Sequence, residues 1–288
     1  MKYPASELVL DGKGNVYHLG LSPNEIATTV LLVGDQDRVS MISSFFDSLE
    51  HTSQHREFVC HTGIYKGKRI SALSTGIGTD NIDITINELD ALFNIDLKTR
   101  NDKATEQRLK LIRIGTCGIL QREYPVHSYI LSDGAYGLDN IAHFYPIEFS
   151  EFEQRIEHSL SAHLELPEPI RPYFVSASDS LVQALRSDKT AEGITVTSSG
   201  FYGPQGRSLR LGLRTPEINE RLTEYRGPNG ERVMNFEMES SALFALGKGL
   251  GHEVVTICLG VANRPNMQFS QGYHQEMMEL IQYVLERV

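Results

Sequence analysis

The chain has 288 residues, 40% hydrophobic and 22% charged, which is enough to bury a sizeable core in one or two domains. A formal net charge of −10 argues against broad binding to nucleic acid or anionic membranes, but leaves room for a local basic pocket. No stretch approaches the ~20 apolar residues that span a bilayer, no signal-peptide pattern opens the chain, and Cys60, Cys117 and Cys258 are widely spaced with no CxxC. A cytoplasmic protein with reduced thiols and no structural zinc is therefore expected.

In chain order, short β-branched or apolar runs ending in glycine or polar turns predict strands over 28–33, 69–74, 109–114, 128–132, 173–176, 195–198 and 253–259. Helical patterns lie between several of them, over 37–46, 80–93, 152–164, 216–225, 237–249 and 273–288. The second of these places Ile82, Ile86, Leu89 and Phe93 on one face. The polar stretch DLKTRNDKATEQR over 96–108 suits an exposed insertion or a helix extension. With no repeat, low-complexity tract or linker, the alternation predicts a single α/β domain over 1–288, with a central mixed β-sheet flanked by helices. In open α/β sheets ligands bind beyond the carboxyl ends of strands, so unusual polar residues there are the candidates for function.

The first such end is LLVGDQDR. Gly34 lets the backbone approach an anion, the helix start near Asp37 adds partial positive charge, and Arg38 offers a two-pronged donor. The same glycine could equally be an ordinary turn. The second is LIRIGTCG, where Arg113 in an apolar strand must be compensated, either by a buried acid or by a bound anion beside Thr116. The third pairs HREF with STGIG. By itself Arg56 there reads as a solvated surface charge.

Taken in order, VGDQDR, HREF, STGIG and RIGTCG resemble the nucleoside phosphorylase family, in its uridine-cleaving branch, over His18 to about Arg264. The resemblance implies that Gly34, Arg38, Arg113 and Thr116 bind phosphate and that Arg56 reaches into a neighbouring subunit's active site. It implies a homodimer as the minimal unit, or a hexamer built of such dimers. Inorganic phosphate would be a co-substrate, and no cofactor is implied. The only metal implied is a monovalent cation that some relatives place at the interface, near positions matching Glu57 and Ser74.

NFEMES opens the predicted helix at 237, and acids at a helix start are stabilising in their own right. A carboxylate also suits the two hydroxyls of a ribose. By resemblance Glu239 holds those hydroxyls, Met238 packs on the sugar, Glu237 shapes the loop, and His18 contacts the 5′-hydroxyl across the subunit interface. In SGFYGPQGR, the Gln205 amide can accept from uracil N3–H and donate to O2, while Arg207 donates to O4. An amine at that position, as in cytosine, would face donor against donor. Gln205-x-Arg207 after Phe-Tyr matches the uridine-specific branch, with Phe201 as an aromatic wall and Cys117, Gly118 and Val261 completing the base site. Cys117, where the family often has Thr or Ser, lacks a partnered histidine and reads as a packing residue rather than a nucleophile. Purine-specific relatives carry a Ser-Asp pair after the last strand, whereas LGVANR here has no acid. The implied reaction displaces uracil from C1′ by phosphate through an oxocarbenium-like state, with Arg207, Gln205 and Arg113 as its charge-stabilising groups. A phosphorylase of other base specificity, a nucleoside hydrolase and a non-catalytic nucleoside-binding protein are the alternatives.

Overall fold

The apolar run TVLLV, flanked by polar turns, forms β1 (Thr29–Val33) and leads through the turn at Gly34 into α1 (Gln36–Ser43). The structure, a computed structural model, describes residues 2–288. An antiparallel hairpin follows, β2 (Ser48–His55) and β3 (Phe58–Tyr65), then β4 (Lys68–Ser74), which pairs parallel with β1. Helix α2 (Thr79–Asn94) buries Ile82, Ile86 and Leu89 completely and leaves Phe93 half-buried. The polar stretch after it is the exposed insertion expected and not a helix extension: residues 103–108 are exposed and carry no regular structure. Its first part forms a small surface ribbon of β5 (Ile95–Asp96) and β6 (Asn101–Asp102).

The second half contributes β7 (Lys110–Ile119), β8 (Tyr129–Gly137), α3 (Glu151–Leu164), β9 (Tyr173–Ser176), α4 (Asp179–Leu185) and β10 (Thr190–Thr197). It closes with α5 (Ile218–Glu224), β11 (Val233–Glu237), α6 (Ser240–Gly249), β12 (Glu253–Asn263), β13 (Gln268–Phe269) and α7 (His274–Leu285). Helix α3 opens with a full capping box, Ser150 receiving the Glu153 N–H while the Glu153 side chain reaches back.

The main sheet is mixed, as the α/β alternation predicts, but part of it closes on itself. Its order is β13-β12-β8-β10-β11-β7-β1-β4-β3-β2, and β7 also pairs with β12. The strands β7, β12, β8, β10 and β11 therefore form a ring, and β1, β4, β3 and β2 extend from β7 as an open wing. Closure removes edges from the ring. Its interior holds one apolar cluster fed by all five strands: Cys117 and Ile119 of β7, Ile130 of β8, Ala191 of β10, Met234 of β11 and Cys258 of β12.

Besides the β5–β6 ribbon, four segments depart from the sequence expectation. RIGTCG lies inside β7, which continues to Ile119, rather than at a strand end. Residues 237–239 finish β11 and cap α6, so the helix begins at Ser240, not at 237. The hairpin β2–β3 and the helix α4 replace what the pattern left as loop.

Candidate active site

A cavity of about 810 Å³ opens where β1 ends and β7 runs on past it. Gly34, Arg38, Arg113, Thr116, Cys117, Gly118, Phe201, Gln205, Arg207, Glu237, Met238, Glu239 and Val261 all line it. The expected site is thus assembled from segments up to 227 residues apart in sequence, counting from Gly34 to Val261.

At one end, Gly34 and Gly76 bring the ends of β1 and β4 together, and a Cβ on Gly34 would stand 3.3 Å from the Gly76 carbonyl. Gly76 has φ of 72°, and a Cβ there would lie 2.5 Å from Asn81 Nδ2, so this turn demands glycine twice over. Asp35 caps α1 by accepting the Asp37 N–H at 3.0 Å. Arg38, on the first turn, is 7% exposed and donates to the Ile114 carbonyl at 3.2 Å. Burial, reinforced by the charge of Arg113, holds its guanidinium below the ordinary arginine value.

Arg113 resolves its two alternatives by fulfilling the first while remaining at the cavity wall. Its guanidinium pairs with Glu239 and lies 3.5 Å from Glu237, all three groups being buried. Burial opposes its charge, but Glu239 and Glu237 outweigh that and hold its pKa above the ordinary value. Its Nε has no hydrogen-bond partner among the described residues.

The two carboxylates have different tasks. Glu237 accepts from Thr197 Oγ1 at 2.5 Å, from Glu239 N at 2.9 Å and from Ser240 N, so it ties β11 to β10 and caps α6. Glu239 accepts from Gly78 N at 2.8 Å and from Arg113, and faces the middle of the cavity between Met238 and the first turn of α2. The dipole argument for acids at a helix start holds for Glu237; Glu239 retains acceptor capacity toward the cavity.

At the other end, the turn Gly203–Gln205 buries Gln205 at 3% exposure. Arg207 donates to Gln205 Oε1 at 2.5 Å and to the Phe201 carbonyl at 2.6 Å, and its guanidinium lies 3.7 Å from the Phe201 ring centroid. One face of the expected aromatic wall is therefore covered by arginine. Arg264 stands behind; its Nη1 is buried without a hydrogen-bond partner among the described residues. Burial first, and Arg264 second, bring the Arg207 guanidinium down to about 10. Two arginines that repel each other in the free protein make this end receptive to negative charge. Cys117 packs in the ring interior, where burial pushes its thiol well up, away from nucleophilic character.

Three expected residues do not line this cavity. His18 hydrogen-bonds Glu88, and Arg56 is exposed, 5.4 Å from the Tyr17 ring centroid. Ser74 is buried at the end of β4, donating to the Glu57 carbonyl at 2.6 Å and accepting from Val59 N, although Glu57 itself reaches the cavity. Sequence reasoning missed Asn81, Ile77 and Phe269, which also line the wall. Asn81 was detectable as a polar residue in the first turn of α2. Ile77 and Phe269, 69% and 67% exposed, carry no signal in an apolar pattern.

A cavity beside the end of β1, with arginines at one end, Glu239 paired to Arg113 on its wall and a Gln–Arg pair at the other, has the donors to hold a small anion and a polar organic ring. The chain belongs to the phosphorylase superfamily, whose family model matches residues 28–287. It is 30% identical over 275 residues to a uridine phosphorylase of Thermococcus kodakarensis, covering 96% of this chain and 87% of the relative. A solved structure described as a Trypanosoma brucei nucleoside phosphorylase showing uridine phosphorylase activity has a TM-score of 0.89 at 29% identity, with 98% of this chain and 99% of that one covered. A purine nucleoside phosphorylase, DeoD-type, of Oceanobacillus iheyensis is 29% identical over 241 residues, covering 83% of this chain and 84% of the relative. Family resemblance alone therefore spans two classes of base.

Proposed function

We propose that the chain catalyses the phosphorolysis of uridine to uracil and ribose 1-phosphate, as a cytoplasmic enzyme of pyrimidine salvage. The observation that carries the choice of base is the end of the cavity where Gln205 and Arg207 stand with Arg264 behind. The acids of the wall, Asp35, Asp37, Glu57, Glu237 and Glu239, come from other segments. A purine leaving group needs a proton donor there, and none of these acids belongs to the 201–207 or 261–264 segments.

In this reading Gly34, Arg38, Arg113 and Thr116 hold phosphate, and Glu239 with Met238 holds the ribose. As the glycosidic bond breaks, positive charge grows on the sugar next to phosphate and negative charge grows on the uracil. Gln205 donates to O2 and Arg207 to O4, stabilising the charge where it develops. No group in the scheme forms a covalent intermediate, and phosphate is the only co-substrate it needs.

His18 and Arg56 complete the pocket of a second copy, making a homodimer the minimal active unit. Arg56 supports this: it sits at φ 56° in the two-residue turn of the β2–β3 hairpin, a conformation an L-residue adopts at a cost of about 1–2 kcal/mol. Among the described residues its side chain meets only Tyr17, with the hydroxyl at 3.5 Å.

The deciding experiment is base release from uridine, thymidine, cytidine, inosine and adenosine, with and without phosphate. Uridine cleavage that needs phosphate is expected. Cleavage without phosphate would make the protein a hydrolase, preferred release of a purine would overturn the choice of base, and binding without turnover would make it a nucleoside-binding protein.

A further inference from the structure

His18 is held by a residue seventy positions away. Glu88, on the third turn of α2, accepts from His18 N with both carboxylate oxygens at 3.0 Å and from Leu19 N at 2.8 Å. The same carboxylate lies 2.6 Å from His18 Nδ1. On the opposite side, His55 Nδ1 donates to the His18 carbonyl at 2.8 Å, and the Tyr17 ring meets the imidazole edge-on at 5.0 Å. Backbone and ring are thus both fixed.

The two backbone bonds alone would amount to a staple that fastens a loop to a helix. The third contact does more. An ionised carboxylate has no hydrogen to give, so Nδ1 must carry the proton, and in the neutral ring the lone pair is confined to Nε2. A free histidine divides its proton between the two nitrogens; this one is committed. The side chain is 32% exposed and outside its own cavity, free to meet a ligand elsewhere.

We propose that Glu88 is a positioning residue for ribose recognition. It locks His18 in the Nδ1–H form, so that Nε2 is presented as an acceptor for the sugar's 5′-hydroxyl in the neighbouring copy's pocket. A carboxylate that touches no substrate thereby tunes the site of another subunit, as an outer-shell acid orients a metal-bound histidine. This rests on the role given to His18 above.

The test compares uridine with 5′-deoxyuridine at saturating phosphate in wild type, Glu88→Gln, Glu88→Ala, His18→Ala and the double variant His18→Ala/Glu88→Gln. Expected is a loss of about tenfold in the preference for uridine, read as the ratio of kcat/KM values, in each Glu88 variant. The value for 5′-deoxyuridine should change by less than about threefold, and the double variant should be no worse than His18→Ala. A Glu88 variant that keeps the preference, or that loses both substrates equally, overturns the proposal. If His18→Ala keeps the preference too, the role of His18 has failed; if only the Glu88 variants keep it, the fault lies with Glu88 alone. Nitrogen-15 spectra of labelled histidine report without turnover: His18 should be Nδ1–H in wild type and shift toward Nε2–H in Glu88→Ala, and an unchanged tautomer would equally refute the role of Glu88.

Discussion

Replacing Arg207 with alanine removes one of the two cations at the base end of the cavity and little else. The side chain is half-buried, is stacked on Phe201 and bonds two neighbouring oxygens. Losing the stack costs about 0.5–1 kcal/mol of stability, and relief of repulsion from Arg264 offsets part of that. The fold should therefore survive. The effect on catalysis is larger. A preorganised donor aimed at a developing oxyanion contributes about 2.7–4 kcal/mol. Arg264 stays behind as partial cover: a Cβ placed on Gly118 would stand 3.5 Å from Arg264 Cγ and 3.9 Å from Arg207 Nη2, so both arginines flank one strand position. The lower end of the range applies, and about 2.7 kcal/mol corresponds to ~10²-fold in kcat/KM. The assay is phosphate-dependent uracil release, run in parallel on a uridine with an electron-withdrawing group at C5, whose base leaves with less help. The deficit should shrink on the activated substrate. Activity within about threefold of wild type, or an equal deficit on both substrates, would remove Arg207 from leaving-group stabilisation.

Other outcomes follow from the same geometry. Arg56→Ala and Glu239→Ala should each be nearly inactive alone, while mixed and reassembled copies should recover on the order of a quarter of wild-type activity, because half the dimers are hybrids with one intact site; no recovery would place Arg56 in its own subunit's chemistry or outside it altogether. Gly118→Ala meets only ordinary contact distances, so its melting temperature should stay within a few degrees of wild type while KM for uridine rises about tenfold; an unchanged KM would show that the base does not lie against β7. Glu153→Gln breaks a buried pair with Lys248 and should cost about 2–3 kcal/mol at neutral pH by urea denaturation, below the full value for a buried pair because Lys248 is 35% exposed. Burial raises the Glu153 carboxyl, but Lys248 and the N–H groups of Ser176 and Ser150 outweigh it, leaving its pKa below the ordinary 4.5. Its stabilisation is therefore present above that value and lost as pH falls through the folded-state pKa, so wild type should lose stability in acid more steeply than the variant. Parallel acid profiles would show that Glu153 does not titrate with unfolding.

What the sequence disclosed depended on how local its cause was. The strands β1 and β12 announce themselves because they are buried on both faces and read as unbroken apolar runs. The hairpin strand β2, SLEHTSQH, has no fully buried position and hence no pattern to find. Ring closure through β7 and β12 is a pairing of residues more than 140 apart, such as Arg113 with Thr256, and no local propensity encodes it. In the site, Arg113 was visible because a charge within an apolar strand must be accounted for, whereas the turn holding Gln205 and Arg207 reads locally as an ordinary loop, and the two stand out only through the Gln-x-Arg resemblance and its fit to a uracil edge. Residues 237–239 misled: acids before a helical pattern look like its first turn, whereas Glu237 ends a strand and caps the helix from outside. The Glu88–His18 contact left no trace, since a glutamate on a helix and a histidine in a loop are each unremarkable until folding brings them together.

Arg113, Thr116 and Gly118 all ride on β7, which is clasped by β1, β11 and β12. Arg113 and Thr116 of the anion end, and Gly118 of the base end, are thereby built into the barrel's own frame, whereas Gly34 and Arg38 come from the adjoining wing and Gln205 and Arg207 hang from a connection outside it. Surface turns accept insertion and replacement far more readily than a strand paired on both sides. On the proposed reading, a lineage that keeps this barrel could change its preferred base largely by rewriting those turn residues, while Arg113 and Thr116 stay fixed in the frame.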